Sequence, residues 1–452
     1  MGSSKMHRQL LCCFLLVCLT TDAVSKEDES CYADNRNPYI YTGTTTAYHF
    51  VSNNVTERIN VPNCKPIYIW MYCRHGTRYA NRNRMLSMLN LTYMQDLIVG
   101  NHEIMKQRHL CDQDLQNLKN WSPDRGLIAR NHKHLTSQGE RDLSTLGERF
   151  RARYPELFDA NKPENYKFRS TNTQRTISSM TSFISGAFGD DFVADMEIDG
   201  LMNDSVMIKM ISNCRPWLDE MNSTGGIEKL REFIDGPEMA EVVTDVNRRL
   251  GFAGRINKDD VFLLYDACRF EKAWQPDRLS PWCAVFDDDD MRVLEYEQDL
   301  FHYYHSGYGL KINRQFGCHT VRDMVDRFAK LEQEEEEEDT GKPKGSFIFA
   351  HSAGAAQFYT ALGIAKDAEH LTAWNYKDMA HRKWRMSLLT PFATNFAAVF
   401  HRCDSEDSPF KVAFYLAEKP VTLEGCENGV CDWAKLKETL GPVVGNCDMK
   451  LC

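Results

Sequence analysis

Two short apolar runs in this chain, residues 67–71 and 347–350, are each followed by a loop that contains a histidine. Apolar runs of this length are typical of strands that are buried inside a protein. In α/β sheets, ligands collect at the carboxyl ends of the strands. We therefore expect the loops at 73–78 and 351–354 to lie at the carboxyl ends of strands, where a site would form.

Helical patterns separate these runs from further candidate strands. The other candidate strands are residues 168–171, 397–400 and 412–415. Apolar residues recur at three- and four-residue steps within 135–154 and 173–188, which predicts two helices. A third helix is expected at 355–365. This alternation predicts an α/β fold, a three-layer sandwich around a mainly parallel sheet.

Residues 200–330 differ from the rest of the chain. They carry helical patterns and several Trp and Tyr residues but few strand-like runs, which predicts a mainly α-helical insertion domain. The predicted organisation is a signal peptide at 1–25, a lead-in at 26–60, an α/β domain at 61–199 and 331–425 around the insertion at 200–330, and a cysteine-rich tail at 426–452.

The N-terminal segment has the parts of a signal peptide. A basic start precedes an apolar stretch at 10–19 that is too short to span a bilayer. Cys12, Cys13 and Cys18 would leave with this peptide, and an odd number of the 16 cysteines would remain. Most of these are expected to pair in an oxidising compartment. Cys73, at the end of the first predicted strand, is the candidate for the unpaired one.

Sequons for N-glycosylation also point to the secretory pathway. They occur at Asn54, Asn90, Asn120, Asn203 and Asn222. The final residues, Lys-Leu-Cys, are not an ER-retention signal, so a secreted or endolysosomal location is expected. No segment after the signal peptide is apolar enough to suggest a transmembrane span.

The charge of the chain limits its partners. The net charge is −10 and no long basic stretch is present, which argues against a nucleic-acid partner. Any site for a polyanion must therefore be a local cluster of Arg, Lys and His inside an acidic protein.

One such cluster follows the first predicted strand. In Arg74-His75-Gly76-Thr77-Arg78, one imidazole lies between two guanidinium groups. The planar guanidinium binds two phosphate oxygens at once and neutralises their charge. Gly76 permits a turn that a side chain would obstruct, and a neutral imidazole nitrogen can attack phosphorus. The loop therefore predicts a site that holds a phosphate against His75.

Two further segments supply matching groups at strand ends. Arg175 lies near the start of the predicted helix at 173–188, where backbone N–H groups also favour anions. His351 follows the run at 347–350, and a second imidazole could hold phosphoryl oxygens in the transition state. Each of these residues alone has an ordinary structural interpretation, and the prediction rests on their combination with the first loop.

Together these residues resemble the histidine acid phosphatase family, and specifically its multiple inositol polyphosphate phosphatase branch. The resemblance covers most of residues 60–420. The segments that carry it are Arg74-His75-Gly76-Thr77-Arg78, Leu135-Thr136 with Gly139, Leu146-Gly147, Ser170-Thr171 with Arg175, Val293-Leu294-Glu295-Tyr296, Gly307-Tyr308-Gly309, Leu371-Thr372-Ala373-Trp374-Asn375-Tyr376 and His381-Arg382-Lys383-Trp384-Arg385.

The resemblance implies a two-step hydrolysis of phosphomonoesters such as inositol polyphosphates, with 2,3-bisphosphoglycerate as a further substrate. In this mechanism His75 attacks phosphorus and forms a phosphohistidine, which water then hydrolyses. The catalytic set that the resemblance implies is His75, Arg74, Arg78, Arg175 and His351. It implies no metal and no cofactor, because side chains supply the positive charge. Arg382 and Lys383 are predicted to contact distal phosphates of this small polyanionic substrate.

One position departs from the family pattern. The branch carries His-Ala-Glu at the second histidine, where the Glu protonates the leaving oxygen, and other branches carry His-Asp. This chain has His351-Ser352-Ala353, with neither carboxylate. General acid catalysis contributes about 10²–10⁴ in rate, so its loss should be costly.

Three interpretations of this departure stay open. The chain is an active phosphatase whose proton comes from elsewhere, or it is a catalytically impaired relative that binds polyphosphates. In a third, from another class of enzyme, the turn at 350–354 is a nucleophile elbow and Ser352 is an esterase nucleophile. Of these, the active phosphatase is the interpretation that the sequence favours.

Overall fold

A computed structural model describes residues 31–34, 40–52, 57–104, 109–195, 201–202, 214–333, 343–447 and 452. The predicted signal peptide at 1–25 and the sequons at Asn54 and Asn203 lie outside the described residues.

Eight strands of the described chain form one sheet. They are β1 (Cys64–Arg74), β2 (Tyr166–Thr171), β3 (Leu201–Met202), β4 (Gly345–Ala350), β5 (Asn395–Cys403), β6 (Phe410–Leu416), β7 (Lys419–Pro420) and β8 (Val430–Asp432). The order across the sheet is β3-β2-β4-β1-β5-β6-β7, and β8 pairs with β6. All five predicted strands are present, each within a few residues of its predicted limits.

The sheet is mixed, with a parallel part that contains the candidate site. Strands β3, β2, β4 and β1 are parallel, whereas β5 and the strands beyond it join in antiparallel pairs. Arg74, the last residue of β1, is the register partner of Ala350, the last residue of β4. His75 and His351 therefore leave the same edge of the sheet side by side, although they are far apart in sequence.

Fifteen α-helices occur among the described residues. In chain order, α1 to α6 are Arg82–Leu89, Leu91–Glu103, Asp112–Lys119, Ser137–Arg153, Gln174–Phe188 and Asp190–Asp195; α7 to α12 are Arg215–Ser223, Gly226–Ile234, Pro237–Arg249, Lys258–Trp274, Asp288–Ser306 and Lys311–Gln333; α13 to α15 are Ser352–Leu362, Met386–Leu389 and Trp433–Gly445. The predicted helices at 135–154, 173–188 and 355–365 correspond to α4, α5 and α13.

The sheet separates two hydrophobic cores. Alternate residues of β1 point to opposite sides, so Trp70 and Tyr72 belong to one core and Met71 and Cys73 to the other. Helices α4 and α5 pack in the second core, and α12 and α13 in the first. Helices therefore cover both faces of the sheet, and the α/β three-layer sandwich is confirmed.

The region 214–333 is built from helices α7 to α12, with a short 3₁₀ turn at Pro281–Val285 and no strand among its described residues. Its buried residues belong to the same hydrophobic core as one face of the sheet. Helix α10 reaches the edge where β1 ends, because Trp274 Nε1 donates to Arg78 O (3.1 Å). The division of the chain into an α/β domain and an insertion remains a prediction.

Six disulfides occur among the described residues, four of them between distant parts of the chain. They are Cys31–Cys111, Cys64–Cys403, Cys214–Cys452, Cys268–Cys283, Cys318–Cys447 and Cys426–Cys431. Within the part of the chain that the structure describes, Cys73 alone is a free cysteine, as predicted, and it is buried. Such pairing is consistent with a secreted or lumenal protein. Among the described helices, none combines the length and apolar character that a membrane crossing requires.

Candidate active site

His75 stands directly beyond β1, in a position that fixes its ring. Its backbone N–H donates to Ala350 O (3.0 Å) and its carbonyl accepts from the N–H of Ala393 (3.1 Å). The ring Nδ1 lies 2.8 Å from Gly76 O. Because a carbonyl oxygen can only accept, Nδ1 must carry the proton, which leaves the lone pair on Nε2. The local backbone thus presents Nε2 as the nucleophilic atom.

The surroundings of His75 keep its imidazole neutral. Burial lowers the pKa of His75 well below its usual value, and the charges of Arg74, His351, Arg78 and Arg175 lower it further. The residue is 3% exposed. A group with a lowered pKa loses its proton at lower pH, so the neutral nucleophile persists in mildly acidic solution.

His351 lies against His75, as the sequence predicted. The two ring centroids are 5.5 Å apart in a T-shaped arrangement. Arg175 Nη2 donates to His351 Nδ1 (3.4 Å), so Nε2 of His351 carries the proton and faces the hydroxyl of Thr171 at 3.2 Å. Burial and the charges of Arg175, Arg74 and Arg78 lower the pKa of His351 to about 3. This imidazole is therefore a neutral hydrogen-bond partner rather than an acid.

Arg74 is held by backbone carbonyls. Its Nη1 donates to Thr44 O (2.5 Å) and Thr390 O (2.6 Å), and its guanidinium lies over the ring of Phe392 at 4.5 Å. Its buried Nε has no protein partner in the described chain. Burial, followed by the charges of Arg78 and Arg175, lowers the pKa of Arg74. The guanidinium is thus oriented from one side only, and its charge remains available to a ligand.

Arg78 and Arg175 complete a cluster of positive charge. Arg78 Nη1 donates to Tyr79 O (2.8 Å), and burial, with the charges of Arg175 and Arg269, lowers the pKa of Arg78 to about 10. Burial also lowers the pKa of Arg175. Within the described residues, neither these two guanidiniums nor that of Arg74 forms an ion pair with a carboxylate. Three cations that form no ion pair of their own, around a neutral imidazole, make an anion site.

The loop at 74–78 rests on the start of α4, and this contact requires glycine. A Cβ on Gly76 would lie 2.6 Å from Gly139 O and 2.7 Å from Leu143 Cδ2. A Cβ on Gly139 would lie 2.3 Å from Thr77 O. The N–H of Gly76 donates to Ser179 Oγ of α5 (3.0 Å). Helices α4 and α5 therefore set the position of the loop that carries the nucleophile.

Gly76→Ala should inactivate the site. The added methyl group would collide with backbone atoms of α4, which cannot move aside as a flexible side chain would, so the loop must shift. A misplacement of about 1 Å can cost on the order of 10² in rate. The measurements are kcat and the thermal midpoint. Gly100→Ala is the control, because a Cβ at Gly100 in α2 meets no atom within 4 Å. Equal kcat in the two variants would contradict this account.

Removing the charge of Arg175 should shift the acid limb of the pH profile. In the native site, burial first and then the surrounding cations, including Arg175, lower the pKa of His75. Arg175→Gln removes one cation, so the pKa of His75 rises and the acid limb of kcat/KM moves to higher pH. Arg175→Lys keeps the charge and should leave the limb in place, although kcat/KM falls because the two-pronged contact is lost. An acid limb at the same pH in both variants would show that the charge at position 175 does not influence the pKa of His75.

The structure does not support Arg382 as a contact for distal phosphates. Its side chain is 3% exposed, Nε donates to Asp299 (2.7 Å) and Nη2 to Glu295 (3.0 Å), and the guanidinium lies over the ring of Tyr296. The two carboxylates already neutralise the charge of Arg382. Through these ion pairs Arg382 joins α11 to the segment before α14. Lys383 is exposed, and its predicted role stays a prediction.

Three of the predicted glycosylation acceptors can be located. Asn90, Asn120 and Asn222 are exposed. Asn90 lies between α1 and α2, Asn120 directly after α3 and Asn222 in α7. Their exposure is compatible with glycosylation, which remains a prediction.

Position 353, where the resemblance implies the proton-donating Glu, lies at the start of a helix. Ala353 is the second residue of α13, directly after Ser352. Among the described residues, the main influences on the pKa of His75 and His351 are burial and neighbouring cations, not carboxylates. Asp266 acts on the pKa of Arg78, but its carboxylate is held in ion pairs with Arg84 and Arg269 (both 2.5 Å).

The backbone at Ser352 does not have the strain of a nucleophile elbow. Ser352 is the first residue of α13 and is not among the residues with positive φ. An elbow places its serine on a sharp, strained turn between strand and helix. The esterase interpretation therefore has no support from this geometry.

Sequence reasoning missed the groups that hold the cationic cluster. These are the carbonyls of Thr44 and Thr390, the rings of Phe392 and Phe270, the hydroxyls of Thr171 and Ser179, and the buried Cα of Gly139 against the loop. Backbone carbonyls carry no sequence signal. Thr171 and Gly139 belonged to segments of the family resemblance, which could have identified them as supports of the site.

Comparison with known proteins identifies the family of this chain. Residues 69–415 match the histidine phosphatase superfamily (branch 2). The chain is 31% identical over 434 residues to multiple inositol polyphosphate phosphatase 1 of Drosophila melanogaster, which covers 94% of this chain and 90% of the relative.

Solved structures share the fold. A phytase from D. castellii superposes with a TM-score of 0.70 and 19% identity, over 92% of this chain and 90% of that one. The multiple inositol polyphosphate phosphatase of Bifidobacterium longum, in complex with inositol hexasulfate, superposes with a TM-score of 0.64 and 15% identity, over 88% of this chain and 97% of that one. The expected resemblance is confirmed: the chain belongs to branch 2 of the histidine phosphatase superfamily and is a phosphatase related to the multiple inositol polyphosphate phosphatases.

Proposed function

We propose that this protein hydrolyses inositol polyphosphates by way of a phosphohistidine on His75, in the secretory pathway or outside the cell. The observation that carries the proposal is the free Nε2 of a neutral His75 beside three guanidiniums that form no ion pair, those of Arg74, Arg78 and Arg175. A phosphomonoester at this site would place its phosphorus against Nε2 and its oxygens on the guanidiniums.

The chemistry proceeds in two displacements. In the first, His75 Nε2 forms a bond to phosphorus, the bond to the ester oxygen breaks, and the leaving oxygen takes up a proton. In the second, water attacks phosphorus, the bond to Nε2 breaks, and inorganic phosphate leaves. The three cations stabilise the charge that spreads over the phosphoryl oxygens in both steps. His351, neutral and held by Arg175, contributes a further polar contact to the same group.

No carboxylic acid occupies position 353, where the family resemblance implies the proton donor for the leaving oxygen. Arg78, with a pKa of about 10, keeps its proton in neutral and acidic solution, and His351 is unprotonated at Nδ1. With Ala353 in place of the family Glu, water or the substrate itself must supply the proton. Substrates with acidic leaving groups, such as aryl phosphates, need little help of this kind, so we expect them to react faster than alkyl phosphates.

The names of the relatives support the choice of substrate class. The relative from Drosophila melanogaster is a multiple inositol polyphosphate phosphatase, and the structure from Bifidobacterium longum contains inositol hexasulfate. Inositol polyphosphates are therefore the first substrates to test, and 2,3-bisphosphoglycerate is a further candidate.

A second candidate function is binding without turnover. The missing carboxylate at position 353 favours it, because the cation cluster can hold a polyphosphate without any proton donor. In that case the protein would sequester inositol polyphosphates.

Phosphate release separates the two functions. The assay uses the secreted protein, inositol hexakisphosphate and a small aryl phosphate, from pH 4 to pH 8. The enzyme interpretation predicts release from both, with the rate maintained below pH 6.5 because the pKa of His75 is lowered. No release from either substrate, with binding of the hexakisphosphate retained, would establish the binding-only function. Labelling of Ser352 by a fluorophosphonate without phosphate release would support an esterase instead.

A further inference from the structure

A buried carboxylate lies where three segments around the candidate nucleophile meet. Glu418 has a fully buried side chain and follows Ala417 in the two-residue turn between β6 and β7. Ala417 and Glu418 have φ angles of 47° and 65°. Positive φ at both positions is the requirement of a type I′ turn, which Asn and Gly usually fill. Residues with a Cβ persist in this conformation only where their surroundings enforce it. The contacts of Glu418 hold the turn in this conformation.

Glu418 accepts from two parts of the chain. Arg149 of α4 donates through Nε (2.8 Å) and Nη2 (2.7 Å), and the hydroxyl of Tyr48 donates at 2.6 Å. Burial, and then the charge of Glu418, raises the pKa of Tyr48, so its hydroxyl remains a donor. Tyr48 in turn accepts from Asn395 Nδ2 at 2.8 Å. The carboxylate thereby ties together α4, the segment at 42–48 and the start of β5.

These segments hold the reactive groups. Thr44, four residues before Tyr48, accepts from the guanidinium of Arg74. Thr394, next to Asn395, accepts from the backbone N–H of Arg74 (2.8 Å), and Ala393 donates to the carbonyl of His75. Both the side chain of Arg74 and the backbone of His75 therefore depend on segments that meet at Tyr48 and Glu418.

The positive charge of the site explains why the segments around Arg74 and His75 need to be held in place. Arg74, Arg78 and Arg175 repel one another: besides burial, the charges of Arg78 and Arg175 lower the pKa of Arg74, and the charge of Arg175 lowers that of Arg78. Among the described carboxylates, Asp266 acts on Arg78, but it is held in ion pairs with Arg84 and Arg269. The backbone segments whose carbonyls accept from these arginines must therefore hold the guanidiniums in position.

We propose that Glu418 is a positioning residue for the phosphate site, and that it acts through Tyr48 and Asn395 on Arg74 and His75. This inference rests on the proposed phosphatase function for its kinetic readout. It does not rest on that function for phosphate binding, because the site would bind inorganic phosphate whether or not it turns over.

The test uses Tyr48→Phe and Glu418→Gln, with Asp323→Asn as the control. Tyr48→Phe removes one hydroxyl and leaves the pairing of Glu418 with Arg149 in place, so it isolates the link to the site. Asp323→Asn weakens a second arginine–carboxylate pair, in which Arg169 donates twice to Asp323 (2.6 and 2.5 Å) and Trp70 donates to the same carboxylate (2.8 Å). The side chains of Arg169 and Asp323 are 15% and 28% exposed. The variant therefore measures what the loss of a partly buried ion pair does to stability.

The kinetic readout is kcat on the aryl phosphate, and the second readout is the dissociation constant of inorganic phosphate. Both Tyr48→Phe and Glu418→Gln should lower kcat by about 10- to 100-fold and weaken phosphate binding, whereas Asp323→Asn should change only the thermal midpoint. If Glu418→Gln does not fold, Tyr48→Phe still decides. Native kcat and native phosphate affinity in Tyr48→Phe would overturn the proposal. Weaker phosphate binding in a protein that shows no turnover at all would keep it and reject the phosphatase instead.

Discussion

Replacement of His75 by Ala is expected to abolish phosphate release. In the proposed mechanism the phosphoryl group is transferred to Nε2 of this ring in the first step, and within the described residues no other nucleophile lies at the centre of the three guanidiniums. His351 cannot replace it, because its Nδ1 accepts from Arg175 and its Nε2 faces Thr171. Loss of a covalent nucleophile commonly removes catalysis almost completely, by about 10⁶-fold where it has been isolated.

The control for this variant is His109→Ala, which removes an exposed histidine outside the site. Phosphate release is measured for both variants on inositol hexakisphosphate and the aryl phosphate. His75→Ala should retain phosphate binding, since Arg74, Arg78 and Arg175 remain. Residual turnover above a few per cent in His75→Ala would mean that water attacks the substrate directly and that no phosphohistidine is required.

Ala353→Glu is expected to restore the missing proton donor. Position 353 lies in the first turn of α13, two residues after His351, and a carboxyl group there is compatible with the helix N-terminus. General acid catalysis contributes about 10²–10⁴ in rate when the leaving oxygen is a poor leaving group. The rate on alkyl phosphates, including inositol hexakisphosphate, should therefore rise far more than the rate on the aryl phosphate.

The matched control is Ala353→Gln, which has a similar shape but cannot donate a proton as a carboxylic acid does. The measurement is the ratio of kcat/KM for alkyl and aryl phosphates in the three proteins. Only the Glu variant should raise this ratio. An unchanged ratio in Ala353→Glu would show that position 353 is not where the leaving oxygen lies, and that another group serves this chain.

The parts of the fold that follow from local patterns could be predicted from the sequence. The apolar runs that become β1 and β4 are buried on both faces, so they have the continuous pattern of central strands. Because both strands were expected to end at the same edge of the sheet, the sequence alone predicted that His75 and His351 lie close together. The antiparallel attachment of β5 was not readable, because a short apolar run looks the same in either direction.

The prediction for Arg382 failed because partners distant in sequence decide its role. Glu295 and Asp299, on α11, take up its charge inside the protein. A basic pair such as Arg382-Lys383 looks exposed in a sequence, and only the packing shows that the first residue is buried.

The free cysteine could be predicted without tertiary information. The number of cysteines after the signal peptide is odd, and Cys73 lies at the end of a central strand.

The supports of the cationic cluster could not be predicted for a related reason. The carbonyls of Thr44 and Thr390 bind Arg74, yet any residue type presents a carbonyl. Glu418 is similar, since an acid in a tight turn is usually solvated, and its buried contacts with Tyr48 and Arg149 depend on the fold. Such groups become visible only when the segments are assembled.

The most direct test of this account is to trap the covalent intermediate. The protein is mixed with the aryl phosphate, quenched in alkali to preserve an acid-labile phosphoramidate, digested, and mapped by mass spectrometry. The account predicts one added phosphoryl group on the peptide that contains His75, absent in His75→Ala. Phosphate release without any phosphorylated His75, or with the label on another residue, would contradict it.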